Sequence, residues 1–196
     1  MLENGGIAIA TSRRPESFAD LKAKYPADRL LALRLDITKP QDIVNAFAAA
    51  KEKFGRIDVV VNNAGSGVIA EVEAAVDKDV RAMFETNFWG MANVSREAVK
   101  FFREVNPAGV GGRLLQMSGR GGLNGAAATA YYSASKFGMS GACHWMHAYP
   151  LCRKLIFGCS TSIALEGFSE SLADEIDPAW NIKVSIACIC TLNHMR

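Results

Sequence analysis

The sequence predicts an α/β fold in which a parallel sheet is doubly wound by helices. Three observations predict it. Short apolar runs of five or six residues recur along the chain and stop abruptly at polar residues, as strands buried on both faces do. Segments of ten or more residues with helical spacing separate them, the alternation that parallel crossovers require. The chain, at 196 residues and 49% hydrophobic, is long enough to bury one sizeable core, and no internal repeat or low-complexity linker divides it.

The elements follow in order. Gly6 to Thr11 (GIAIAT) reads as a strand bounded by Ser12-Arg13-Arg14, and Pro15 to Lys24 as a helix opened by proline. Leu30 to Leu35 (LLALRL) is a second strand, stopped by Asp36. Thr38 and Pro40 start a helix whose apolar face is Ile43, Phe47, Ala50 and Phe54, at spacings of four, three and four, and Gly55 closes it. Ile57 to Val61 (IDVVV) is β-branched and suits a central strand. A long helical region spans about Lys78 to Glu104, Arg113 to Met117 (RLLQM) is a fourth strand, a further helix begins near Tyr131, and Ile182 to Ile186 (IKVSI) is the last strand.

Composition narrows the function classes. Lys and Arg number 22 against 20 Asp and Glu, scattered among one another, so a dedicated nucleic-acid surface is not expected. No apolar stretch approaches the roughly 18 residues of a membrane span, and the opening MLENGGIAIA lacks a basic segment followed by an apolar one, so the expected location is the cytoplasm. Cysteine and histidine are segregated: Cys143, His144, His147, Cys152 and Cys159 in one group, Cys188, Cys190 and His194 in another, with neither type in residues 1–137 or 164–187. This marks 138–163 and 188–196 as foreign to the pattern around them.

Tyr132 and Lys136 are four residues apart at a helix start and share a face. An ammonium beside a phenol stabilises the phenolate, which makes Tyr132 a usable general acid or base near neutrality. Such a pair is weak evidence alone, but it has company. Asn62-Asn63-Ala64-Gly65 follows the third strand, Asn87 lies in the long helix, Ser118 follows the fourth strand, and Tyr132-Ser133-Ala134-Ser135-Lys136 comes next. Together these resemble the single-domain short-chain dehydrogenase/reductase family over residues 1–137 and 164–187.

The resemblance implies a Rossmann-like oxidoreductase moving hydride between a nicotinamide cofactor and a small-molecule carbonyl or alcohol. Tyr132 would pass the proton to or from the substrate oxygen, Lys136 would hold the nicotinamide ribose and tune Tyr132, and Asn87 would position a water of the proton relay. Asn63, Ala64 and Gly65 would run close to the adenine ribose, with Asp36 and Ile37 flanking the adenine. Arg13 and Arg14 follow the first strand with no acid before Glu16, a pattern favouring NADP over NAD, the alternative being two solvated arginines.

Three departures from the family qualify this. No glycine-rich pyrophosphate turn, and no strand leading into it, precedes Met1, so the fold is expected to lack its first strand and to leave two inner strand edges unpaired. The family's catalytic serine normally stands at the position of Gly119, leaving Ser118 to replace it through a local backbone shift or not at all. The 26 residues Gly138–Ile163 interrupt the helix that carries Tyr132 and Lys136, after which Leu165, Phe168 and Leu172 resume helical spacing. The junctions of this insert are compatible with intron boundaries: Gly-Met-Ser can be encoded with GTATGT, and Ile-Ala with a terminal TAG. A retained intron is therefore one explanation, and an in-frame one.

Family members often form homo-oligomers through the helices bearing Asn87 and Tyr132, a contact the insert is expected to disturb. Two other readings stand beside the reductase. One is a catalytically inactive relative or truncated product acting as a binding protein. The other is a zinc site within Cys143, His144, His147, Cys152 and Cys159, disfavoured because no Cys-x-x-Cys spacing is present, so no metal is expected.

Overall fold

A computed structural model describes residues 1–119, 126–137 and 163–189, with the side chains of Gly119, Phe137, 163–166, Cys188 and Ile189 left aside. The insert expected at 138–163 therefore lies, Ile163 apart, outside the described residues, as do Cys143, His144, His147, Cys152, Cys159, Cys190 and His194.

The architecture is α/β with parallel strands. A short 3-10 turn, Leu2–Asn4, leads into β1 (Ala8–Ser12), and a second 3-10 turn opened by Pro15 leads into α1 (Ala19–Lys24). Then come β2 (Leu30–Arg34), α2 (Pro40–Phe54), β3 (Val59–Asn62), α3 (Asp77–Phe84), α4 (Met91–Glu104), β4 (Gly112–Gly119), α5 (Ala130–Phe137), α6 (Ile163–Glu175) and β5 (Ile182–Ile189). Each predicted strand is present within one to three residues at each end. Proline at N1 starts α2, and Gly55 at φ 73° ends it by donating its N–H to the Lys51 carbonyl.

The strands form two sheets, β1-β2 and β3-β4-β5, in which every pairing is parallel. Ala10 lies opposite Ala32, Val60 opposite Leu114, and Leu114 opposite Val184. The core lies between the second sheet and the α2/α4 layer, where Ile43, Phe47, Val94, Ala98, Phe101, Phe102, Leu114, Ile176 and Ile182 are buried together. The predicted apolar face of α2 is the buried one, since Ile43, Phe47 and Ala50 are all under a tenth exposed.

The predicted long helix differs from expectation in its middle. Between α3 and α4 the chain takes a π-helical turn, Glu85–Gly90, which contains Asn87. Gly90 explains part of this: a Cβ there would stand 2.7 Å from Ile37 Cγ1 and 3.1 Å from the Glu85 carbonyl oxygen, so the wide turn seats directly on Ile37. The helical register thus changes at Asn87, the one asparagine of this segment assigned a role.

Candidate active site

Three elements converge around residues 64–68, the segment that leaves β3. Its first support is Asn87, 3% exposed, whose carboxamide grips the segment in both senses. Its Oδ1 accepts from the Ser66 N–H at 2.8 Å, and its Nδ2 donates to the Ser66 carbonyl at 2.8 Å. The same Nδ2 donates to Ser135 Oγ at 2.9 Å, and Ser135 Oγ donates in turn to the Tyr132 carbonyl at 2.7 Å. Asn87 therefore ties the 64–68 segment to α5, which carries Tyr132 and Lys136.

The side chains of the site stand close to the two glycines of this segment. A Cβ on Gly65 would lie 3.3 Å from Asn87 Oδ1 and 3.7 Å from Lys136 Nζ, and one on Gly67 would lie 3.5 Å from the Tyr132 ring. Tyr132 is half-buried. Lys136 is 8% exposed, and no hydrogen bond or ion pair joins its ammonium to another described residue. Burial alone pushes its pKa below the ordinary lysine value. A largely desolvated cation with no hydrogen-bond or ion-pair partner among the described residues is carried at a cost, a feature common where ligands are received.

A cavity of about 640 Å³ opens beside the same segment. Arg13, Asp36, Ile37, Ala64 and Gly65, all candidates from sequence, line it. Arg14 does not, being an exposed residue that caps the turn opened by Pro15. Asn63 lines the neighbouring apolar groove instead. The Asp36 carboxylate lies below its ordinary pKa, chiefly because the Thr38 hydroxyl donates to Oδ1 at 2.7 Å, with smaller help from the Thr38 N–H at 3.1 Å and the charges of Lys39 and Arg13. It therefore remains ionised under all ordinary conditions.

Ser118 is buried near the carboxyl end of β4, one residue before Gly119, which pairs with Ile189 of β5. Ser118 is not among the described residues that line the cavity. Sequence reasoning missed several participants. Asp79, Met83 and Thr86 also line the cavity; Asp79 and Met83, four apart, share a face of α3, and Thr86 follows in the π turn. Ser66 and Ser135 carried no signal beyond lying next to residues already singled out.

Beneath the site lies a buried polar cluster that carried no sequence signal either. Asn62 Nδ2 donates to Gln116 Oε1 at 2.8 Å, to Ser95 Oγ at 3.0 Å and to the Met91 carbonyl at 3.3 Å. Gln116 Nε2 donates to Ser95 Oγ at 2.8 Å, and Ser95 Oγ to the Met91 carbonyl at 2.9 Å. The last residue of β3, the middle of β4 and the first turns of α4 are locked together, which aims the chain after Asn62 toward the cavity.

Among the described residues no helix is long and apolar enough to cross a membrane, and no cluster of three or more His, Cys, Asp or Glu is placed to hold a metal.

Comparison with known proteins bears on the family and the fold. An uncharacterized oxidoreductase of Schizosaccharomyces pombe is 34% identical over 185 residues, covering 94% of this chain and 52% of that protein. A solved short-chain dehydrogenase from Streptomyces avermitilis superposes with a TM-score of 0.72 at 31% identity, covering 94% of this chain and 56% of that one. Two more distant structures share the fold: one from Burkholderia phymatum in complex with NAD (TM-score 0.71, 18% identity, 93% and 56% covered), and ElxO with NADP bound (0.70, 22%, 94% and 63%). The chain spans about half the length of the curated relatives it matches. The profile of the short chain dehydrogenases matches residues 1–149, a stretch that holds the Asn87 clamp, the 64–68 segment and the Tyr132/Lys136 helix described above, so the chain belongs to the short-chain dehydrogenase family.

Proposed function

We propose that the site serves NADP(H)-dependent reduction of a carbonyl on a small molecule, or the reverse alcohol oxidation, in the cytoplasm. Members of the family bind nicotinamide cofactors. The observation that carries the reading is Lys136: the residue is 8% exposed, its ammonium has no hydrogen-bond or ion-pair partner among the described residues and stands beside Gly65, and it lies one helical turn from Tyr132. These residues fit a nicotinamide cofactor. Lys136 would bind its ribose hydroxyls, Asp36 and Ile37 would flank the adenine, Ala64 and Gly65 would border the adenosine, and Arg13 would meet a 2′-phosphate. When bound, that cofactor supplies or accepts the hydride.

The protein's own part is proton movement and positioning. Tyr132 donates its phenolic proton to the substrate oxygen as negative charge develops there, and the nearby Lys136 cation lowers the energy of the phenolate left behind. Asn87 holds the 64–68 segment and, through Ser135, the helix that carries Tyr132, so that the two are kept together. Ser118 is the candidate to hold the substrate oxygen.

One observation favours a second reading, a binding protein without turnover: Ser118 is 7% exposed and glycine stands at the next position. Purified protein should bind NADPH and oxidise it in the presence of simple aldehydes or ketones. Tyr132→Phe should lower turnover by about a hundredfold or more and leave NADPH binding within about twofold. Binding without turnover would favour the second reading. Absence of NADPH binding would remove both.

A further inference from the structure

Ser135 lies in the one helical turn between Tyr132 and Lys136 and is 1% exposed. Helix propensity does not call for it. Serine is a poorer helix former than alanine, and a serine that bonds back to its own helix weakens that helix slightly. Its hydroxyl is set with a definite polarity. The proton goes to the Tyr132 carbonyl at 2.7 Å, which leaves Oγ as an acceptor, and Asn87 Nδ2 donates to it at 2.9 Å from 48 residues away in the chain.

The Asn87 carboxamide is thereby used on every side. One Nδ2 hydrogen goes to the Ser66 carbonyl, the other to Ser135 Oγ, and Oδ1 accepts from the Ser66 N–H. The two bonds to Ser66 fix the cavity-lining segment 64–68 to the π turn, and the bond to Ser135 relates both of them to α5. Further along, the Ala70 N–H donates to the Ala128 carbonyl at 2.8 Å and the Tyr131 hydroxyl to the Val72 carbonyl at 3.4 Å, so residues 70–72 are fastened separately. What Ser135 adds is the tie from 64–68 to the Tyr132 backbone. Ser133 provides the contrast: it is buried in the same helix, but its Oγ meets Thr129 Oγ at 3.2 Å, four residues away.

We infer that Ser135 is a positioning residue: its hydroxyl, anchored on the Tyr132 carbonyl and gripped by Asn87, keeps the 64–68 segment in register with the residue that moves the proton. Its part in the reaction rests on the hydride-transfer reading, in which 64–68 borders the cofactor and Tyr132 serves the substrate oxygen. The linkage itself does not. Hydride and proton transfer require cofactor and phenol to be placed at the same time, so a loosened linkage costs turnover more than it costs substrate binding. Loss of the hydroxyl also strands one Asn87 hydrogen in a side chain that is 3% exposed, which frees Asn87 to shift and with it Ser66.

The test compares the intact chain with its Ser135→Ala and Ser133→Ala variants by amide exchange and by NADPH-dependent turnover of simple aldehydes. In Ser135→Ala the Ser66 amide should exchange faster by about tenfold or more relative to the Leu114 amide of β4, which corrects for any global loss of stability. In Ser133→Ala that ratio should stay within about twofold of the intact chain. In an Asn87→Ala background, where the link is already cut, adding Ser135→Ala should change it by less than about twofold. Turnover in Ser135→Ala should fall by about tenfold or more, with the KM for aldehyde held within about threefold. Unchanged Ser66 exchange in Ser135→Ala, an equal effect of Ser133→Ala, or an undiminished effect without Asn87 would overturn the inference, as would a released Ser66 with turnover intact. An intact chain that gives the Ser66 response but neither binds nor oxidises NADPH would refute the hydride-transfer reading while upholding the linkage.

Discussion

Replacing Ser95 with alanine should destabilise the protein far more than loss of a hydroxyl in a helix normally does. Ser95 is 0% exposed, and its Oγ is the acceptor for Gln116 Nε2 at 2.8 Å and for Asn62 Nδ2 at 3.0 Å. In Ser95→Ala, Asn62 keeps Gln116 Oε1 and the Met91 carbonyl, but Gln116 Nε2, itself 0% exposed, keeps no partner. A stranded buried donor costs about 1 to 3 kcal/mol, and the better helix propensity of alanine returns about 0.5 kcal/mol, so a net loss of about 2 kcal/mol is expected. Gln116→Leu strands nothing, because Asn62 still reaches Ser95 and Met91, and Ser95 still donates to the Met91 carbonyl. It should cost about 1 kcal/mol. The double variant lacks the stranded amide and should be more stable than the sum of the singles predicts by about 1 to 2 kcal/mol. Urea denaturation of the four proteins measures this cycle. Additivity within about 0.5 kcal/mol, or a Ser95→Ala loss below that size, would refute the claim that the cluster acts as one unit.

Other expectations follow from the site. Lys136 binds its proton less readily in the folded than in the unfolded chain, so wild-type stability should rise as pH increases from the lowered folded pKa toward 10.5. Lys136→Met should accordingly exceed wild type in thermal midpoint at neutral pH, and the difference should shrink as pH approaches 10.5, which scanning calorimetry at several pH values checks. Gly90→Ala sets a Cβ 2.7 Å from Ile37 Cγ1; it should cost about 1 to 3 kcal/mol and weaken NADPH binding through displacement of Ile37, both read by titration and denaturation. Arg13 lines the cavity and Arg14 does not, so Arg13→Glu should lower the affinity for NADPH relative to NADH by about tenfold or more, whereas Arg14→Glu should leave that ratio within about threefold in fluorescence titrations.

Local chemistry is enough to read most of the elements. The spacing of Ile43, Phe47 and Ala50 marks the buried face of α2, Pro40 and Gly55 mark its ends, and the β-branched run before Asn62 marks β3, because periodicity and capping act within a few residues. The four-residue step from Tyr132 to Lys136 likewise places both on one face of α5 by helical geometry alone. The cavity then separates candidates that look alike in sequence: Arg13 lines it, and its neighbour Arg14 turns to solvent.

What the sequence by itself determined, then, is which segments are strands and helices and which face of each is apolar. Tertiary structure decided the rest. Asn62 finds Ser95 and Gln116 across 33 and 54 residues, Asn87 finds Ser135 across 48, and the π turn exists where Gly90 seats on Ile37. The two unpaired inner strand edges expected from sequence appear as the division into β1-β2 and β3-β4-β5, whereas the apolar lining between them is given by the tertiary structure. The physical reason is that a side chain's period names the face it occupies, whereas its hydrogen-bond partner, its burial and the resulting shift in its proton affinity depend on which distant residues packing brings within about 3 Å.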